Sequence, residues 1–158
     1  MKEWRDNFKG VRFLHKPTNL LVFGAVDDLW INKKGELHVV DYKSTSTSKE
    51  ITLDDEWKQA YKRQAEVYQW LLRANSFKVS NTAYFVFCNG LKTPNAFNGR
   101  LEFDMSILPY VGNDKWVEPV LYDIKKCLNK RTLPAWGTES EWGPYVESAM
   151  KKIKELGG

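Results

Sequence analysis

The sequence predicts an α+β or α/β fold with a mixed central sheet, on the strength of three observations. Short runs rich in β-branched and aromatic residues recur along the chain, as in LLVFGAVDDLWIN, ELHVVDYK and TAYFVFC. Asn32-Lys33-Lys34-Gly35 between the first two of these runs reads as a hairpin turn, with Gly35 able to take positive φ. Between the second and third runs, Trp57, Tyr61, Gln64, Tyr68 and Leu71 recur at spacings of three and four, which is one stripe of a helix. Strands, a helix, further strands and then helices imply a layered fold in which a helix covers the sheet.

The elements follow in order. Residues 1–9 are expected to form a lead-in or the remnant of a helix. Val11 to His15 reads as a short strand, Leu20 to Asn32 as a long β-rich run, and Glu36 to Lys43 as the strand returning from the turn. After the loop STSTSKEITLDD, Asp54 or Asp55 is placed to cap a helix over roughly residues 55 to 75. Lys62, Glu66, Gln69 and Arg73 lie opposite its aromatic stripe and are expected to be the wet face. Thr82 to Cys88 reads as a buried strand and Gly99 to Ile107 as an alternating one. Asp114 to Leu128 and Gly143 to Leu156 are amphipathic helices.

A chain of 158 residues suits one domain, here taken as residues 1–158. Hydrophobic residues at 42% and charged residues at 28% exclude a disordered composition. The net charge of +4 is compatible with a phosphate-backbone partner without demanding one. Cys88 and Cys127 are far apart and form no CxxC pair, so spacing offers no zinc or iron–sulfur site. The opening MKEWRDNFKG has no apolar signal core, and no apolar run approaches the roughly 18 residues of a membrane span. The expectation is a cytoplasmic protein in a reducing setting, away from membranes.

Chemistry concentrates in residues 24 to 43. Alternate residues of a strand share a face, so Asp41 and Lys43 point one way and Tyr42 the other. The hairpin turn returns the chain so that Asp27 approaches Asp41. Two converging carboxylates repel unless a cation lies between them, and an all-oxygen donor set suits Mg²⁺ or Mn²⁺. Such a metal lowers the pKa of a bound water and polarises a phosphoryl oxygen. Lys43 is then placed to hold or deprotonate the attacking water, or to neutralise charge on the phosphate. The carbonyl of Tyr42 is a further candidate metal ligand. Against this stands a plain surface pair, since Asp and Lys two apart on a strand often contribute under about 1 kcal/mol. Gln64, set in an aromatic stripe, should face the sheet and need partners for its amide. Tyr68 is one helical turn further along the same face.

Gly24-Ala-Val-Asp27 as G-x-x-D, Val40-Asp41-Tyr42-Lys43 as the D-x-K strand, and Gln64-Ala-Glu-Val-Tyr68 as Q-x-x-x-Y appear in that order. In this arrangement the chain resembles the RecB-type branch of the PD-(D/E)xK nuclease superfamily, over a little under half its length. The resemblance implies a restriction-endonuclease-like fold and two metal-binding carboxylates, Asp27 and Asp41. It further implies a catalytic Lys43, a supporting Gln64 and Tyr68, and hydrolysis of phosphodiester bonds, usually in DNA. Asp28 is the neighbouring alternative to Asp27; the family's spacing from the glycine selects Asp27. RecB-type enzymes often carry a further ligand on an upstream helix, for which His15, Glu3 or Asp6 are the candidates here. Some relatives, including CRISPR-adaptation nucleases, hold an iron–sulfur cluster on C-terminal cysteines. The tail LPAWGTESEWGPYVESAM has none, so no cluster is expected.

Lys49, Lys62 and Arg63 are candidate phosphate contacts, and Lys58 and Arg73 belong to the same basic set, with a solvated helix face as the alternative reading. Trp116, Trp136 and Trp142 are candidates for stacking on unpaired bases, or for packing. The function expected is that of a Mg²⁺-dependent deoxyribonuclease, an exonuclease of repair, recombination or phage biology. The rival is a non-catalytic nucleic-acid-binding or structural module on the same fold. RNA in place of DNA, and assembly into a homo-oligomer, are left open by the residues.

Overall fold

The computed structural model describes residues 2–92, 99–137, 139–140 and 142–157. Residues 1–123 form one compact unit and residues 124–158 a second. In the first, a short 3-10 turn, Lys2–Arg5, leads to β1, Val11–His15, and β2, Leu20–Gly24, which pair antiparallel as a two-stranded sheet. β3, Asp28–Ile31, β4, Leu37–Thr45, β5, Thr82–Gly90, and β6, Phe103–Val111, form a four-stranded sheet in that spatial order. β3 and β6 run antiparallel to their neighbours while β4 and β5 run parallel, so the sheet is mixed. The parallel pair needs a crossover, and α1, Gln59–Ala74, supplies it.

The expected run from Leu20 to Asn32 is two strands in two different sheets. The chain leaves β2 at Gly24 and enters β3 at Asp28. Between them Val26 is buried and its N–H donates to the carbonyl of Trp4 at 2.9 Å. The lead-in segment thus takes the backbone bond that would have continued a ladder. Asp27 accordingly lies in a bend just before β3 and not inside the hairpin strand. The hairpin turn itself forms as expected. Gly35 has φ +73°, and the Asn32 side chain accepts from the N–H groups of Lys34 and Glu36.

One face of the sheet carries Val39, Asp41, Ala83, Phe85 and Phe87, all buried, and α1 lies over it with Tyr68, Leu71 and Leu72. Each Val, Leu or Phe side chain among them contributes about 1.5–3 kcal/mol when fully buried. The β1–β2 hairpin adds Val11 and Phe13 on another side of α1, with the Phe13 and Trp70 rings meeting edge to face at 5.6 Å. A 3-10 turn, Asp114–Trp116, runs into α2, Val117–Leu128, whose Val117 and Leu121 close the core.

Because α1 is covered on several sides, its expected wet face is partly buried. Glu66 is 7% exposed and Gln69 is fully buried. Glu66 accepts from the Tyr110 hydroxyl at 2.6 Å, the Asn113 N–H at 2.9 Å and the Trp116 indole at 2.6 Å. Gln69 donates to the carbonyls of Ser80 and Asn81, and Arg73 pairs with Asp114. Conversely Trp57, assigned to the stripe, is 61% exposed. It sits in the 3-10 turn Glu56–Lys58 that precedes α1, where the helical period no longer holds. Asp55 holds the N-cap position of that turn without a side-chain cap bond and pairs with Lys58 at 2.7 Å instead.

β5 and β6 run longer or later than the sequence suggests, with β6 displaced toward Val111. In the second unit, α3, Trp142–Glu155, has the ring of Trp136 against Gly143. Among the described residues no helix is long and apolar enough to cross a membrane.

Candidate active site

The site begins where the β3–β4 ladder ends. Asp28 pairs with Val40, and the next outward N–H of β4, that of Tyr42, finds no backbone partner on β3. It donates instead to Oδ2 of Asp27 at 3.0 Å. A side chain thus replaces a strand bond and holds the Asp27 carboxylate beside residues 41 to 43. The N–H and C=O of one strand residue point to the same edge, so the Tyr42 carbonyl opens on the Asp27 side.

Asp41 faces the core and is 3% exposed. Its Oδ2 lies 2.6 Å from the Lys43 ammonium, a close charge-assisted contact that leaves a lone pair of this oxygen unused. Burial pushes the Asp41 carboxyl above its usual range; Lys43 opposes this and Asp27 reinforces it. A buried carboxylate oxygen with an unused lone pair, facing a second carboxylate, is suited to a cation.

Lys43 is fixed from below. Its ammonium donates to Oε1 of Gln64 at 3.3 Å and stands 4.4 Å from the ring centroid of Tyr61. Gln64 in turn donates to the Tyr68 hydroxyl at 2.9 Å. Burial, followed by the charges of Asp41 and Asp27, raises the Tyr68 pKa against the effect of Gln64. Tyr68 therefore stays a neutral hydroxyl. The structure brings together Asp27, Asp41, Lys43, Gln64 and Tyr68, with Tyr61 added. Tyr61 was legible as a stripe residue, but nothing in the spacing showed that its ring would lie under Lys43.

The neighbouring Asp28 is differently engaged. It accepts from Arg5 at 2.7 Å, from the Leu29 N–H at 2.9 Å and from the Tyr42 hydroxyl at 2.9 Å. Burial works against its charge, but these donors hold its pKa below the usual value. Asp28 is thus a clamp between the lead-in, β3 and β4. A shallow depression of about 460 Å³ lined by Arg5, Asp27, Asp28 and Tyr42 opens beside it.

The upstream candidates do not join the site. His15 pairs across the hairpin with Leu20, four residues along β1 from the Val11–Gly24 pair, or roughly 13 Å at about 3.3 Å per residue. It is buried between Thr18 and Glu118. Asp6 caps the N–H groups of Phe8 and Lys9, and Glu3 pairs with Lys9. Among the described residues no group of three or more His, Cys, Asp or Glu converges as a metal cage.

The basic candidates divide. Lys49 is exposed in the loop after β4, while Lys62 and Arg63 line a separate depression with Tyr110 and Trp116. Lys58 is buried against Asp55 and the Thr52 carbonyl, and Arg73, half-buried, is paired with Asp114. Of the tryptophans, Trp116 is bonded to Glu66 and Trp136 packs on Gly143, whereas Trp142 is 73% exposed.

The chain matches the model of the PD-(D/E)XK nuclease superfamily over residues 3–153, nearly its whole length, and it belongs to that superfamily. No curated protein matches it.

Proposed function

We propose that this chain is a divalent-metal-dependent nuclease of RecB-like type that hydrolyses phosphodiester bonds in DNA, acting as an exonuclease in cytoplasmic repair, recombination or phage biology. The observation that carries the reading is the buried carboxylate of Asp41, in contact with the Lys43 ammonium and close enough to the carboxylate of Asp27, itself held on the Tyr42 N–H, to feel its charge. Asp27, Asp41 and the Tyr42 carbonyl would hold Mg²⁺ or Mn²⁺. A set this small suits Mg²⁺, which keeps several waters and takes further oxygens from a phosphate. When bound, the metal supplies an activated water and polarises the phosphoryl oxygen. Lys43 delivers a positive, proton-bearing group to that point. Gln64 and Tyr61 hold the ammonium there, and Tyr68 orients Gln64. Lys49, Lys62 and Arg63 are the proposed backbone contacts.

The test is a digestion panel of linear, circular, single-stranded and double-stranded DNA with Mg²⁺, Mn²⁺ or EDTA, with RNA as a comparison. Shortening of linear DNA with either metal, resistance of circles and no cleavage in EDTA are expected. Cleavage of circles replaces exonuclease with endonuclease. Failure to cut any substrate overturns the reading.

A further inference from the structure

We propose that the cavity between the end of β4 and the start of α1 is a subsite for one unpaired nucleobase, with Trp57 as its stacking wall and the Tyr61 ring beside it. The inference rests on the nuclease reading and adds to it a substrate class: a strand with at least one unstacked nucleotide next to the cleaved phosphate.

The cavity has a volume of about 300 Å³ and is lined by Thr45, Thr47, Lys49, Trp57, Lys58 and Tyr61 among others. That is the lower end of small-ligand pockets, sized for a single base and not for a base pair. Tyr61 connects it to the candidate site, since its ring also carries the Lys43 ammonium at 4.4 Å. A base resting against Tyr61 thus lies next to Lys43, within one nucleotide of the candidate site. β4 makes the same connection, because Thr45 is two residues beyond Lys43 and shares its strand face.

Trp57 is the unexpected wall. A tryptophan that is 61% exposed beside a cavity presents a large aromatic surface to an incoming ligand. Its ring meets Tyr61 edge to face at 5.3 Å and lies 5.1 Å from the Lys58 ammonium, so it is held in place before anything binds. The facing loop is also preformed, with the N–H of Thr47 donating to Asn89 Oδ1 and Asn89 Nδ2 donating back to the Thr47 carbonyl.

Charge decides what fits. Lys49 and Lys58 are balanced in the lining by Glu50 and Asp55, and Lys58 is paired to Asp55 at 2.7 Å. A phosphate inside the cavity would find no net attraction, and Lys49, exposed in the loop, is left to a backbone phosphate outside it. An uncharged flat ring would find the Trp57 face, the Tyr61 ring beside it, and the hydroxyls of Thr45 and Thr47 for its polar edge. Stacking of this kind is tolerant of sequence, because every base has a π-face.

The experiment uses the full chain carrying Asp41→Asn to suppress cleavage, titrated with a short oligothymidylate while tryptophan fluorescence is followed. Quenching is expected, and adding Trp57→Ala should weaken binding by roughly 5- to 150-fold, the effect of losing one stacked base. Trp57→Phe should restore most of the affinity. Blunt duplex of matched length should be indifferent to either change. Unchanged oligothymidylate affinity in Trp57→Ala, or no quenching at all, overturns the subsite. A parallel digestion with the unsubstituted chain separates the two readings. Cleavage with Trp57-independent binding sinks the subsite alone, whereas Trp57-dependent binding without cleavage sustains it and sinks the nuclease.

Discussion

Gly24 leaves the space that the ring of Tyr68 occupies: a Cβ on Gly24 would lie 2.6 Å from Tyr68 Cε1. The end of β2 is thereby tied to the Tyr68–Gln64–Lys43 chain under the candidate site. Gly24→Ala must push the ring aside. A loss of about 1–3 kcal/mol is expected from overpacking, together with lower turnover as Gln64 and Lys43 lose their support. Thermal melting and a nuclease assay on the same variant check this. A fall in melting temperature with unchanged turnover would detach Tyr68 from Lys43 positioning.

Asp41→Asn separates metal binding from folding. The carboxyl is raised in the folded chain, so its charge costs stability that is recovered as pH falls through the folded pKa. The variant should therefore melt no lower than the unsubstituted chain in EDTA at neutral pH, and it should lose the stabilisation that Mn²⁺ gives the unsubstituted chain. Calorimetric titration with Mn²⁺ and melting in both conditions decide it. Equal Mn²⁺ affinity in the variant would remove Asp41 from the metal site.

Lys43→Ala should cut turnover by roughly 10²–10⁴-fold, the usual worth of a positioned acid–base group. Mn²⁺ binding should persist, because an ammonium is not a ligand for a divalent cation. If Lys43 were only the partner of Asp41, turnover would hardly change.

Asp28→Asn tests the clamp. The carboxyl is held below its usual pKa, so its contribution is present above the unfolded value and is lost as pH falls through the folded one. The substitution should cost about 1–2 kcal/mol at neutral pH, with allowance for partial exposure. The difference should vanish in acid. A difference that is constant with pH would mean that shape and not charge is what Asp28 supplies.

Glu66→Leu leaves three donors, on Tyr110, Asn113 and Trp116, without their shared acceptor. About 3 kcal/mol or more of destabilisation is expected. Burial first, and Glu66 second, raise the Tyr110 phenol well above its ordinary pKa. Spectrophotometric titration of the milder Glu66→Gln should therefore bring that phenol down. A phenol that does not move would place the whole shift in burial.

The short-range periods were legible in the sequence. A strand repeats every two residues, so Asp41 and Lys43 had to share a face. A helix repeats at four, so Gln64 and Tyr68 had to do the same. The Asn32–Gly35 turn followed from residue type alone. What lay beyond reach depends on contacts distant in the chain. Gly24, Asp27 and Asp28 weaken LLVFGAVDDLWIN as a strand without specifying where it ends; the break at residues 25–27 is fixed by Trp4 taking the Val26 N–H. Glu66 and Gln69 read as solvated because a polar helix face normally meets water. They are buried because Tyr110, Asn113 and Trp116 arrive on that side as donors to Glu66, and the carbonyls of Ser80 and Asn81 as acceptors for the Gln69 amide nitrogen. Tyr61 under Lys43 and Trp57 beside the cavity are decided the same way. Periodicity assigns a side chain to a face, but only the packed neighbours determine whether that face meets core, partner or solvent.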